Sequence, residues 1–243
     1  DKTDYHKLNI FVDTISKSSV IRFHRKLKDN TNELLFTTDL SSLSNKSFSS
    51  ITFPPPGGFL QATIEGENAI LESVMLGLNE NKKTKLICEL FCGSGTITLP
   101  LLKKPYQIHA FELDKESLKS LDIAARKESF GNRVKTKVRD LKNFPLTSDE
   151  LSKYDAIIVD PPRSGAKLQF LNIARSNVSI IVSISCNVNT FVRDAKILIE
   201  SNYELKWVQP IDQFLFSAHV ELVAIFQLKY KNVNKKIYNY KKT

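Results

Sequence analysis

The 243-residue sequence lacks several features, and each absence excludes a class. No window approaches the roughly 20 consecutive apolar residues that a helix needs to cross a bilayer. Cysteine is scarce. The three residues, Cys88, Cys92 and Cys186, argue against a disulfide scaffold, and their odd number leaves at least one free thiol. Cys88 and Cys92 lack the further ligands a zinc site requires, so no metal is expected. There is no internal repeat of solenoid period. The first residues, Asp1-Lys2-Thr3-Asp4, resemble no signal peptide and include no initiator Met. On that basis the chain reads as a fragment of a longer gene product, with the cytoplasm as its expected compartment.

Acid is in deficit: 26 Asp and Glu stand against 35 Lys and Arg, for a formal net charge of +9. Such a balance suits a polyanionic partner, since Lys and Arg neutralise phosphates and release counterions. A merely solvated basic surface gives the same total, and composition leaves the two open.

Up to about Pro56, short apolar runs at 8–12, 20–23 and 34–36 predict the strands of a small β-rich region. The Ser-rich stretch 41–50 reads as a loop, and Pro54-Pro55-Pro56-Gly57-Gly58 as a boundary. From Glu65 the apolar spacing turns helical. Strands are then predicted at 85–90, 107–111, 133–138, 155–159 and 179–183, with helices over 96–103, 115–128 and 191–201. Runs at 203–208 and 220–228 predict an antiparallel hairpin at the sheet edge. Alternation of this kind implies an α/β fold, a parallel doubly wound sheet with helices on both faces. The expected division is therefore a partial β-rich region at 1–56, a catalytic domain at 57–228 and a basic tail at 229–243.

In such sheets ligands lie at the C-terminal strand ends. The first of these carries Glu89-Leu90-Phe91-Cys92-Gly93-Ser94-Gly95-Thr96. Gly93 and Gly95 allow close backbone approach to a ligand, and the helix that follows offers free N–H groups. Thr98 stands where a dinucleotide motif has its third Gly, and no Gly-Lys-Ser/Thr follows, which excludes a P-loop. Glu112 ends the next strand, placed to accept bonds from both ribose hydroxyls, and Asp140 ends the third, where it can face an adenine amino group. An adenosyl ligand without a pyrophosphate site favours S-adenosylmethionine over NAD.

Three further segments complete the pattern: Asp160-Pro161-Pro162-Arg163-Ser164-Gly165, Ser185-Cys186-Asn187 and His219-Val220-Glu221. With the glycine loop and Gly57-Gly58-Phe59-Leu60-Gln61, they resemble the uracil-5 RNA methyltransferases of bacterial tRNA and 23S rRNA, over about residues 53–226. The resemblance implies a Rossmann-like fold of the S-adenosylmethionine-dependent methyltransferase type. It implies that Gln61, Phe91, Glu112, Asp140 and Asp160 line the cofactor and base pocket, with Gly93 and Thr96 beside the cofactor. It assigns Cys186 as nucleophile and Glu221 as general base. Thr96 departs from the family's usual Asn, and Val188 from the Pro that often follows Ser-Cys-Asn. The chain also lacks the Cys-rich iron–sulfur segment and the N-terminal β-barrel of some members.

The chemistry explains the residue types. Uracil C5 is a weak nucleophile until a thiolate adds to C6, and the C5 proton must later leave. Thiolate formation must be favoured locally, and Arg193, one turn into the following helix, is a candidate cation. The expected partner is RNA, 23S rRNA first and the tRNA T-loop as alternative, acted on by a monomer. Cytosine-5 methylation is disfavoured because no Pro-Cys context is present, and amino methylation because Arg163 follows Asp-Pro-Pro. A catalytically silent RNA-binding module is the rival from another class.

Overall fold

Seven strands form one sheet in the order β10-β11-β9-β8-β5-β6-β7. They are β5 (Leu86–Leu90), β6 (Gln107–Glu112), β7 (Val134–Val138), β8 (Ala156–Val159), β9 (Ile180–Ser185), β10 (Tyr203–Ile211) and β11 (Glu221–Leu228). The computed structural model describes residues 22–26, 32–37, 45–47, 50–52, 54–55, 58–214, 216–217 and 219–229. The strand expected at 8–12 and the tail beyond Lys229 lie outside the described residues.

β5, β8 and β9 are buried on both faces, as their unbroken apolar sequences require. One face packs on α1 (Ile64–Asn79) and α3 (Lys115–Lys127), through Ile70, Val74 and Leu78 and through Leu118, Leu121 and Ala125. The other packs on α5 (Lys167–Ser176) and α6 (Val188–Glu200), through Phe170, Ile173, Phe191 and Leu198. Neighbouring strand residues serve opposite layers. Ile87 faces the first and Cys88 the second, so Cys88 is a core residue. Two shorter helices, α2 (Thr98–Leu102) and α4 (Ser148–Leu151), also lie among the described residues.

Helices α1, α3 and α6 begin where side chains satisfy their free N–H groups. The Thr63 side chain accepts from Gly66 N, Asp114 from Glu116 and Ser117 N, and Asn187 from Asn189 N. With Asn187 as cap, α6 starts at Val188, three residues before the expected Phe191. α2 starts at Thr98 rather than Thr96, behind a loop in which Gly95 has φ +86°.

β10 and β11 form the expected antiparallel pair at the sheet edge, with β10 outermost and β11 between it and β9. The physical reason is burial, because Glu221–Phe226 are all buried whereas β10 alternates with solvent. Helices α4 and α5 were not foreseen. The Ser-rich stretch is not wholly a loop, since β3 (Asn45–Ser47) pairs with β4 (Ser50–Thr52). That hairpin bonds to the sheet's helical layer through Ile51 N and Glu128 Oε1, 3.1 Å apart. β1 (Arg22–Lys26) and β2 (Asn32–Thr37) form a separate antiparallel pair, where strands were expected.

Candidate active site

The chain leaves β5 first toward β6 and β7, then returns to add β8 and β9 on β5's other side. A crevice therefore opens between the ends of β5 and β8. The loop after β5 is shaped by its backbone. Phe91 sits at φ +64°, and its N–H and that of Cys92 both donate to Phe111 O, at 2.9 and 3.2 Å. Gly93 has φ +53°, and a Cβ there would meet nothing within 4 Å, so this backbone borders open space. A Cβ on Gly95 would instead strike Leu121, so Gly95 serves the packing of the loop on α3.

Gln61, Phe91, Gly93, Thr96 and Asp160 line one recess at this crevice, joined by Glu67, Glu89 and Ser94. Glu89 was not singled out from the sequence, although a carboxylate inside the apolar strand Leu86–Leu90 was the available signal. It is 2% exposed and held by a 2.7 Å bond from Thr98 Oγ1. Burial pushes its pKa to about 8, with Asp160 adding repulsion. Burial likewise pushes Asp160 to about 7, with Glu221 adding to the rise. The Ser94 Oγ is buried without a hydrogen-bond partner. A buried and a half-buried carboxylate, an unused hydroxyl and a bare glycine backbone make a pocket suited to a cationic, hydrogen-bonding ligand.

Two carboxylates expected at the cofactor lie outside that recess. Glu112 ties the loop to the next turn: Oε2 accepts from Gly93 N at 3.1 Å, and Oε1 from Leu113 and Asp114 N at 2.6 and 3.0 Å. Asp140 is folded into its own turn. Its Oδ1 accepts from Lys142 and Asn143 N, and its Oδ2 from Asn143 Nδ2, which lowers its pKa.

Cys186 and Glu221 meet at the neighbouring strand ends. Leu222 pairs with Ser185 across the antiparallel β9–β11 ladder, so the next step brings Glu221 opposite Cys186. Parallel pairing of Val159 with Ser183 sets Asp160 beside Ile184, two residues before Cys186. Cys186 is half-buried and opens on a cleft of about 220 Å³ shared with Arg163, Asn187 and His219. Burial, then Glu221 and Asp160, push its thiol pKa up, while Arg163 pulls it down. Arg163, whose Nη2 lies 3.5 Å from His219 Nδ1, is thus the cation at the thiol. Arg193 is not. It bonds Asp194 through Nε at 2.8 Å and the Ser164 carbonyl through Nη2 at 3.2 Å, because Asp194 also holds Ala166 N and so clasps the loop after β8.

Glu221 is 4% exposed; burial raises its pKa, and the Gln213 side chain opposes that rise by hydrogen bonding. Gln213 Nε2 also donates to Gln61 Oε1 at 2.8 Å. Sequence reading missed Gln213, for nothing local distinguishes it from a solvated loop residue.

A family model described as tRNA (uracil-5-)-methyltransferase matches residues 52–229. An uncharacterized RNA methyltransferase of Agrobacterium fabrum is 45% identical over 174 residues, 72% of this chain and 41% of the relative. Another, of Mesorhizobium japonicum, is 46% identical over 171 residues, 70% of this chain and 40% of the relative. The chain thus spans about two fifths of the length of these relatives. Among solved structures, the tRNA (uracil-54, C5)-methyltransferase of Pyrococcus abyssi, in complex with S-adenosyl-L-homocysteine, superposes with a TM-score of 0.70. It is 21% identical, with 83% of this chain and 48% of that one covered, and it shows the fold: a Rossmann-like α/β sheet of the methyltransferase type.

Proposed function

The chain belongs to the tRNA (uracil-5-)-methyltransferase family, and from that premise we propose that it methylates C5 of a uridine in RNA, with S-adenosylmethionine as donor. The observation that carries the reading is the register that sets Cys186 against Glu221 beside a recess of buried carboxylates. S-adenosylmethionine supplies a methyl group on a cationic sulfur. Glu89, which is buried, and Asp160, which is half-buried, complement that charge, and Ser94 Oγ and the Gly93 backbone offer hydrogen bonds and room. The recess encloses only about 50 Å³, and Glu112 and Asp140 at the neighbouring strand ends would hold the adenosyl end.

The Cys186 thiol first loses its proton to solvent, aided by Arg163. Its sulfur then adds to C6 of the uracil, and the ring electrons pass to C5 as an enolate nucleophile. After methylation at C5, the Glu221 carboxylate removes the C5 proton. The C5–C6 double bond re-forms and the sulfur leaves C6 as thiolate. The raised pKa of Glu221 suits this role, since it strengthens the carboxylate as a base. The target base must leave its stack to reach the cleft.

The first target to test is 23S rRNA. A uridine of the tRNA T-loop is the second reading, favoured by the tRNA designation of the family model and of the Pyrococcus protein. A single-chain monomer, a cytoplasmic location and the domain limits 1–56, 57–228 and 229–243 belong to the same proposal. No helix among the described residues is long and apolar enough to cross a membrane.

The test uses RNA containing 5-fluorouridine, whose fluorine cannot leave as a cation. The protein forms a denaturant-stable RNA complex that requires S-adenosylmethionine, and Cys186→Ala forms none. Glu221→Gln accumulates a methylated covalent adduct even with ordinary uridine. A crosslink that survives Cys186→Ala refutes the mechanism. Mass mapping of uridines in rRNA and tRNA, from cells with and without the gene, identifies the target.

A further inference from the structure

His109 and Phe111 of β6 pair with Lys135 and Lys137 of β7 across the parallel ladder at the sheet's other edge. Phe111 belongs to the second apolar layer, and alternation along the strands brings His109, Lys135 and Lys137 to that same side. These residues line a hollow of about 250 Å³, together with buried Tyr154 and Leu146 and with Lys153. All three lysines are exposed, and none forms an ion pair among the described residues. The one carboxylate among the lining residues, Glu150, is already engaged. It accepts from Thr147 N at 2.9 Å and faces Arg139 Nη2 at 3.5 Å. His109 gives Nδ1 to the Tyr154 hydroxyl at 3.0 Å, which leaves Nε2 for a ligand. Lys153 Nζ stands 5.2 Å from the centre of the Tyr154 ring. Three ammonium groups and an imidazole thus meet over one hollow with little negative charge to balance them.

Lysines on an edge strand also deter pairing with another sheet. That role needs lysines on β7 alone, whereas Lys153 comes from the segment after α4 and lines the same hollow. Two residues before Leu146, the turn after β7 carries Phe144, 67% exposed. Arg139 fixes this turn, donating from Nε to Phe144 O at 2.6 Å and from Nη2 to Pro145 O at 3.2 Å. An exposed ring on a fixed turn beside uncompensated cations suits single-stranded nucleic acid, which is held by stacking and phosphate contact together. A free phosphate has no use for the ring. We propose, on the reading of RNA as substrate, that this face of β6 and β7 binds a single-stranded stretch of that RNA, with Lys135, Lys137, Lys153 and His109 on its phosphates and Phe144 against a base. β7 lies four places from β9 in the sheet, about 19 Å at the usual strand spacing of about 4.8 Å. The contact is therefore separate from the Cys186 cleft and holds the strand whose target base enters it.

The experiment measures binding of the full chain to a fluorescent oligouridylate of about 12 nucleotides across a salt titration. Lys135→Gln, Lys137→Gln and Lys153→Gln combined should weaken binding about ten- to a hundred-fold near about 0.1 M salt and make the log–log slope shallower by about two. Phe144→Ala should weaken it about five- to a hundred-fold with the slope unchanged. S-adenosylmethionine affinity, read by calorimetry, should be retained in each. Lys82→Gln, Lys83→Gln and Lys85→Gln combined remove the same charge from exposed positions before β5 and should cost far less. Equal losses in the two triple variants assign binding to net charge and overturn the proposal. So does an affinity indifferent to Phe144, which marks a small-anion site; inorganic phosphate would then displace the RNA better than chloride at equal ionic strength. Methylation of total RNA from cells lacking the gene is measured in parallel. If the unmodified protein transfers no methyl group to it, the RNA reading itself fails; if it does while the Lys135, Lys137 and Lys153 variant binds RNA normally, only this surface falls.

Discussion

Leu222 stands opposite Ser185 in the β9–β11 ladder, and that one pairing brings Glu221 to Cys186. The two residues are separated by 35 positions of sequence that include a helix and the whole of the edge strand β10. A slip of one residue would turn every side chain of β11 to the opposite face. The register is held because the facing side chains of β11 belong to two different apolar layers, Val223 and Ile225 to one and Leu222 and Phe226 to the other.

Glu112 accepts three backbone N–H bonds from the loop and turn that frame the ligand groove. Glu112→Ala should weaken S-adenosylmethionine binding about ten- to a hundred-fold, as loss of charge-assisted hydrogen bonds at about 1.5–3 kcal/mol implies. Calorimetry on the folded variant checks this, and unchanged affinity removes Glu112 from the site.

Cofactor affinity should depend on pH through Glu89 and Asp160, whose pKa values stand at about 8 and about 7. A cation beside them favours their ionised forms, so binding expels protons near neutrality. Affinity should fall about tenfold per pH unit for each proton displaced as pH drops below that range. Glu89→Gln should flatten the dependence, and S-adenosyl-L-homocysteine, without the sulfonium charge, should show a shallower one. The ligand-free protein runs the other way. Raised folded-state carboxyl pKa values mean the folded chain holds those protons more tightly than the unfolded chain. Its stability should therefore decline from about pH 4 to about pH 8, as read by unfolding curves across that interval.

Gly165 has φ +69°, and a Cβ there would lie 2.6 Å from Asp194 Oδ2, 3.0 Å from Thr190 Cβ and against Arg193. Gly165→Ala should destabilise the protein by about 1–3 kcal/mol and loosen the loop that carries Asp160 and Arg163. A thermal midpoint equal to that of the unmodified protein would show that the Arg193–Asp194 clasp yields without cost.

RNA affinity should fall steeply with salt if the net charge of +9 serves phosphate contacts. Several contacts give a log–log slope of about minus 0.7 to 0.9 per phosphate neutralised. A flat titration would assign the charge to solvated surface.

Much of this was written in the sequence alone. The strands that are buried on both faces, the glycine loop and the motifs at 160–165, 185–187 and 219–221 are local signals, set by residue type and short spacing. They carried the fold class, the family and the pairing of one thiol with one carboxylate. Only the tertiary structure decided where β11 inserts, since strand order depends on which edges bury each other across long separations. It also turned Asp140 into its own Asx turn, a competition between local N–H donors and a distant ligand that no periodicity reveals. Arg193 went to Asp194 and the loop after β8, leaving Arg163 beside the thiol, because a charge follows its nearest buried partner rather than its place in the chain. Glu89 and Gln213 gained their meaning in the same way. A carboxylate in an apolar strand and an amide in a surface connection become parts of a site only when burial removes their water and brings them to strand ends that meet.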